Sequence, residues 1–362
     1  MTSNSTPSPN TPRSDHAGLI RLVALGLSVV AVGLAIAALV IALDHDNSST
    51  SSASATSAST CPVPTIAEQE LPSVVTISVN GVGGSGTGSG EVIDGSGHIL
   101  TNNHVISSAA SGGNITVVFS DGSSQTARLV GRDPQTDLAV LQVPQTGGLR
   151  AIRFGSSENV RVGQGVVALG APLGLSSTVT AGIVSARDRS VNVPADNGGT
   201  ALLVAAIQTD AAINPGNSGG ALVDCSGRLI GVPTAGATVP TENGGGGAGN
   251  IGLGFAIPSD FARSIADELI AHGSVSHGFL GLSVDTAADG SGLIVVGVAP
   301  GGPATQAGLQ VGDVITELNG QPAHSSEQLL ELTLTHKPGD TIKVTYERQG
   351  TSHTTSLTLG SR

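Results

Sequence analysis

From Ser73 to Val232 the chain is a succession of short apolar runs separated by glycine-rich turns, and no long helical period appears before residue 259. The runs are Ser73–Val79, Glu91–Ile93, Ile99–Asn102, Ile115–Phe119, Thr126–Val130, Leu138–Val143, Val160–Leu169, Thr178–Ser185, Leu202–Gln208, Ala221–Asp224 and Leu229–Val232. Between them, Gly81–Gly90 reads as a glycine/serine loop, Asp94-Gly95-Ser96-Gly97 as a hairpin, and Asp121-Gly122 as another turn. Many short strands with regular turn signals restrict the fold to a barrel or a sandwich. With 52 glycines, one tyrosine and no tryptophan in 362 residues, the core must rest on Val, Ile, Leu and Ala. That length accommodates about two domains.

Within this pattern, Asn214-Pro215-Gly216-Asn217-Ser218-Gly219-Gly220 sets a serine among glycines. Glycine permits positive φ and close approach of a substrate carbonyl to the main chain. Amide groups around Gly216, Asn217 and Ser218 then form a candidate oxyanion hole. A serine hydroxyl needs an oriented base. His104 ends the run Ile99-Leu100-Thr101-Asn102-Asn103, and Asp137 opens Leu138-Ala139-Val140-Leu141. Asp133 is a rival four residues earlier, in the turn Arg132-Asp133-Pro134. The order His, Asp, Ser is one of the known orders of the catalytic triad.

These three segments resemble the HtrA (Deg) family of trypsin-like serine proteases. So do Gly170-Ala171-Pro172-Leu173-Gly174, Thr178–Ser185, Ile207–Asn214 and Gly254-Phe255-Ala256-Ile257-Pro258. The resemblance implies two six-stranded antiparallel β-barrels, with His104 and Asp137 on the first and Ser218 on the second. It places Ala212 and Ile213 at the primary specificity pocket. Neither is charged, so cleavage after small or medium apolar residues is expected. Asp210 falls in a Thr-Asp-Ala-Ala run of the family and is expected to be structural. The resemblance also implies a homotrimer. No metal-ligand spacing occurs and no cofactor is expected. Three departures stand out: Glu91 where an apolar residue is usual, Pro233 where Asn is usual, and a loop at 235–250 with four consecutive glycines. Pro233 lacks an N–H, so its strand must be an edge or an end there.

Residues 1–21 read as a Ser/Thr/Pro-rich cytoplasmic tail. Leu22–Leu43 is uncharged and apolar, and roughly 20 such residues span a bilayer as a helix. Arg13 and Arg21 precede it, Asp44 and Asp46 follow it, so the N-terminus is expected in the cytoplasm and the remainder outside. A cleaved signal peptide, with a mature start near residue 56, is the alternative. A Ser/Thr/Ala-rich linker spans 44–64, the protease domain 65–272 and a second domain 273–362. Cys61 and Cys225 are the two cysteines. A disulfide between them is expected in an oxidising compartment, with two free buried thiols as the alternative.

In the last segment, Pro258–Ala271 has a helical period (Ile257, Phe261, Ile265, Leu269) after Ser259-Asp260 and before Gly273. Gly278-Phe279-Leu280-Gly281-Leu282, Pro303–Leu309, Val311–Ile315 and Asn319-Gly320 resemble a PDZ domain, with a second helix at Ser326–Thr335 and last strands at Thr341–Tyr346 and Thr354–Leu359. Phe279, Leu280, Gly281 and Leu282 are candidates for the loop that captures a peptide's C-terminal carboxylate. The net charge of −12 and the lack of a Lys/Arg stripe argue against nucleic acid as a partner. The expected function is a membrane-anchored, extracytoplasmic serine endopeptidase acting on unfolded or C-terminally exposed polypeptides. A PDZ-bearing holdase or signalling anchor with a latent protease domain is the rival reading.

Overall fold

The computed structural model describes residues 61–144, 147–171, 177–194, 200–234 and 252–361. The apolar run at 22–43, the glycine loop at 235–250 and part of the Gly170–Gly174 motif lie outside the described residues. Among the described residues no helix is long and apolar enough to cross a membrane.

The first element is helix α1 (Val63–Glu70), which sequence reading had given partly to the linker. Pro62 and Pro64 start it, where a missing N–H costs nothing. Its Ile66 is buried with Val74, Val167, Leu169 and Leu229. Six strands then close the first barrel: β1 (Val74–Gly81), β2 (Gly84–Val92), β3 (His98–Asn102), β4 (Gly113–Val118), β5 (Ser124–Asp133) and β6 (Leu138–Gln142). They pair antiparallel in the order β1-β2-β3-β6-β5-β4. The second barrel is β7 (Gly165–Gly170), β8 (Thr178–Pro194), β9 (Thr200–Thr209), β10 (Ala221–Asp224), β11 (Leu229–Thr234) and β12 (Gly254–Pro258), in the order β10-β11-β12-β9-β8-β7.

The stretch Gly81–Gly90, expected as a loop, is mostly strand β2, and only its start is turn. The reason is interior crowding. A Cβ on Gly88 would lie 2.6 Å from a methyl of Val105, and one on Gly90 would lie 2.8 Å from methyls of Ile77 and Ile99. Glycine is selected here by the space inside the barrel. Pro233 behaves as expected. The pairing of β11 with β10 stops at Gly231, and Pro233 has a strand neighbour only in β12.

Helix α2 (Asn103–Ile106) is a single turn after β3, and helix α3 (Ser259–His272) follows β12. Ala262, Ile265, Ala266 and Leu269 of α3 are buried with Leu100, Leu138 and Val140 of the first barrel and Val232 and Ile257 of the second. Full burial of side chains such as Ile265 and Leu269 contributes about 1.5–3 kcal/mol each, so this helix cements the two barrels. Gly273 ends it at φ 74°, returning its N–H to the Leu269 carbonyl. The helix starts at Ser259, as the Ser259-Asp260 signal implies, and Asp260 in its first turn also accepts hydrogen bonds from Ser156 Oγ and from Ser157 N–H and Oγ, tying a loop to the helix.

The C-terminal domain has β13 (Gly278–Phe279), β14 (Leu282–Thr286), β15 (Leu293–Val298), α4 (Pro303–Gln306), β16 (Val314–Leu318), β17 (Gln321–Pro322), α5 (Ser326–Thr335), β18 (Thr341–Arg348), β19 (Thr351–Thr358) and β20 (Gly360–Ser361). Its sheet runs β14-β15-β16-β18-β19, β17 pairs with β16, and β13 pairs with β20. Helix α5 begins with a reciprocal cap between Ser325 and Gln328. The domain rests on the protease region through Leu334 of α5, which is buried with Leu202 and Val204 of β9. Lys337 Nζ lies 3.1 Å from Glu268, and His277 Nε2 lies 2.8 Å from Asp133.

Candidate active site

His104 sits in the one-turn helix α2, where β3 leaves the first barrel. Its Nδ1 lies 2.8 Å and 3.1 Å from the two carboxylate oxygens of Asp137, and its backbone N–H donates to Asp137 Oδ1 at 2.9 Å. A carboxylate only accepts, so the proton of this pair sits on Nδ1 and Nε2 is left as the acceptor. The ring is one-third exposed while the Asp137 side chain is 3% exposed, so the imidazole has one edge open to the cleft.

Asp137 is held from all sides. Its backbone takes φ 58°, a strained conformation for a non-glycine residue, in the two-barrel interface. Its carbonyl accepts from Asn103 N–H at 3.0 Å and Asn102 Nδ2 at 2.9 Å, which justifies that turn. Its Oδ2 also accepts from Thr234 Oγ1 at 2.9 Å. Thr234 comes from β11 of the second barrel, and nothing in the sequence near Asp137 signals it. The rival Asp133 points elsewhere: its carboxylate accepts from Thr136 Oγ1 and Gln135 N–H and pairs with His277.

Ser218 precedes β10 on the second barrel and is stapled to the first through Ser89 of β2. Ser89 N–H donates to the Ser218 carbonyl at 2.9 Å and Ser89 Oγ donates to the Gly216 carbonyl at 2.6 Å. The same Oγ accepts from Ala171 N–H at 2.8 Å, and the Ser89 carbonyl accepts from Thr101 Oγ1. A Cβ on Gly219 would fall 3.0 Å from the amide nitrogen of Asn102, two residues before His104. The serine and histidine segments thus pack too closely here for a side chain at Gly219. Ser89 was missed by sequence reasoning because it lies in the stretch read as a loop.

Gly216 and Gly219 have φ of 100° and 80°, as the glycine pattern requires. Asn217 N–H donates to Asn214 at 3.0 Å, Gly219 N–H to Pro233 at 2.9 Å, and Gly220 N–H to Asn217 at 3.0 Å. The amide of Asn217 is therefore spent on the turn, whereas those of Gly216 and Ser218 make no such bond among the described residues. Ala212 is half-buried, and its carbonyl accepts from Thr180 Oγ1 and Asn217 Nδ2. Ile213 sits in the core of the second barrel, where Gly254 leaves it room. Asp210, just after β9, accepts from Ile183 N–H of β8 at 2.7 Å.

In the C-terminal domain, Gly281 has φ 71°, and its carbonyl and that of Leu280 accept from Ala299 and Ala304 N–H. The carbonyls are thereby turned into the domain. Leu280 is 5% exposed and belongs to the core, yet it also lines a cavity of about 220 Å³ with Leu282, Leu329 and Thr333. Cys61 and Cys225 are joined by a disulfide with Cα atoms 4.7 Å apart.

Residues 88–232 match the trypsin-like peptidase domain family, and residues 278–359 match the PDZ domain family. The chain is 43% identical over 297 residues to the serine protease PepD of Mycobacterium tuberculosis, covering 80% of this chain and 64% of that protein. It is 40% identical over 283 residues to the periplasmic pH-dependent serine endoprotease DegQ of Escherichia coli, covering 75% of this chain and 58% of that one. The match thus spans less than two thirds of the length of these curated relatives. Among solved structures, the HtrA-type protease AlgW with tripeptide aligns with a TM-score of 0.67 at 35% identity, covering 83% of this chain and 97% of that one. Two closed barrels, a histidine–aspartate pair beside a glycine-framed serine, and a following PDZ domain agree with these likenesses, and the chain belongs to the HtrA (Deg) family of trypsin-like serine proteases.

Proposed function

We propose that the protein is a serine endopeptidase in which Ser218, His104 and Asp137 form the catalytic triad. The observation that carries the reading is the hold of Asp137 on both the Nδ1 and the backbone N–H of His104. Ser218 Oγ attacks the peptide carbonyl, His104 Nε2 takes its proton and returns it to the leaving amine, and Asp137 fixes the tautomer and stabilises the imidazolium. The uncommitted amides of Gly216 and Ser218 stabilise the oxyanion, while Asn217 shapes the turn that aims them. Ala212 offers no charge to a basic side chain, so the substrate residue before the scissile bond is small or medium and apolar. The PDZ domain takes exposed C-termini at Phe279–Leu282.

Misfolded or envelope proteins outside the cytoplasm are the substrates this reading favours, with Leu22–Leu43 as a single anchor and a homotrimer as the assembly, on the family's pattern. No metal or organic cofactor enters the scheme. A fluorophosphonate probe tests it on the detergent-solubilised chain. Labelling of the wild type that disappears in Ser218→Ala and His104→Ala is the expected result. An unlabelled, folded wild type, with and without an apolar-ended C-terminal peptide, would move the holdase reading to the front.

A further inference from the structure

The cavity beside the PDZ carboxylate loop is not built from the PDZ domain alone. Its wall includes Gln135, a residue of the protease domain two positions before Asp137, next to His277 and Gly278. Gln135 is exposed and lines this space, which puts its side-chain amide within reach of a bound peptide. Its place is fixed by a buried carboxylate. Asp133 accepts from Gln135 N–H at 3.1 Å and from Thr136 Oγ1 at 2.6 Å, and pairs at 2.8 Å with His277, the residue that leads into the carboxylate loop. Asp133 and His277 are both 5% exposed. One carboxylate thus ties the catalytic-aspartate turn to the first residues of the PDZ groove.

We propose that Gln135 is a specificity-determining residue of the PDZ groove, donating a hydrogen bond from its side-chain amide to the terminal carboxylate of the bound peptide. The proposal rests on the reading that the groove takes free C-termini. The carboxylate end is chosen because Gln135 lines the cavity with His277, Gly278 and Gly281, where Gly281 turns at positive φ and the Leu280 and Gly281 carbonyls point away. An ionised acceptor meeting a neutral amide donor makes a charge-assisted bond, stronger than one between neutral groups. His277 lines the same space, but its Nε2 is engaged with Asp133. The C-terminus is then read by two domains at once, and occupancy of the groove bears on the turn that carries Asp137.

The test is fluorescence anisotropy on the full chain in a Ser218→Ala background, so that the ligand survives. The ligand is a dye-labelled peptide ending in valine, as the free acid and as the C-terminal amide. The parent protein should bind the acid at least about tenfold more tightly than the amide. Gln135→Ala should weaken the acid roughly 3–10-fold and leave the amide unchanged, and Gln135→Glu should weaken the acid further by like-charge repulsion. If both variants bind the acid like the parent, or lose acid and amide equally, the proposed contact is overturned while C-terminal capture stands. If the parent itself does not distinguish acid from amide, C-terminal capture falls and this proposal with it.

Discussion

Two carboxylates are buried where the barrels meet, and they are treated in opposite ways. Asp137 is surrounded by donors: the His104 amide and ring and the Thr234 hydroxyl all reach its oxygens. Glu91 has none among the described residues, where both its oxygens are buried without a hydrogen-bond partner. On β2 it follows Ser89 on the face turned to the second barrel, and its cross-strand neighbours are Val74 and Leu100. Burial pushes its carboxyl well above the ordinary glutamate range, favouring the protonated form. A site built to keep a charge surrounds it with donors, whereas a carboxyl lodged among apolar groups keeps its proton. Burial alone therefore does not mark a charged carboxylate; the donor set does.

The comparison can be broken first at Asp137. Asp137→Asn keeps the shape but offers an amide to Nδ1, favouring the wrong tautomer. On the triad reading, kcat on an apolar peptide substrate should fall roughly 10⁴-fold, with the circular dichroism spectrum unchanged. A fall of less than tenfold would remove Asp137 from the triad.

The opposite outcome is expected at Glu91. Glu91→Leu replaces an unpartnered polar group by an apolar one of similar size and should stabilise the protein at pH 7 by about 2 kcal/mol, read from urea unfolding. The sign with pH follows from linkage. The folded-state pKa is raised, so between the unfolded value of about 4.3 and the folded one the native state holds the extra proton. This contribution favours folding fully below the unfolded pKa and is lost as pH rises toward the folded pKa. The gain from Glu91→Leu should therefore grow as pH rises above the ordinary glutamate range of about 4.3. A gain that is flat with pH would mean that Glu91 is ionised and partnered.

Thr234→Val is the finest probe. It removes one of the donors on Asp137 at nearly constant volume. Losing a hydrogen bond to a charged group should lower kcat roughly tenfold with KM unchanged. An unchanged kcat would show that the two donors from His104 suffice.

Much of this architecture is legible in the sequence because it depends on local pattern. Short β-branched runs, glycine turns and the segments around His104, Asp137 and Ser218 each carry their own signal. What was not legible depends on residues far apart in the chain. Thr234 reaches Asp137 across 97 positions, and Ser89 reaches Gly216 across 127. The glycines of β2 misled for a related reason, since the side chains that exclude a Cβ there, from Val105, Ile77 and Ile99, lie on other elements. Helix α1 went unread because an eight-residue helix leaves little periodicity. The joint between Asp133 and His277 spans 144 positions and links two domains that read separately as complete.

The bridge between Cys61 and Cys225 closes a covalent ring of the first barrel and most of the second. On the proposed serine-endopeptidase reading, this decides what self-cleavage does. A nick anywhere between these cysteines leaves the pieces joined, with His104, Asp137 and Ser218 all inside the ring. A nick at 235–251 falls outside it and severs the triad-bearing part of the chain from the PDZ domain. Autolysis sites can therefore be sorted by running the same sample with and without reductant.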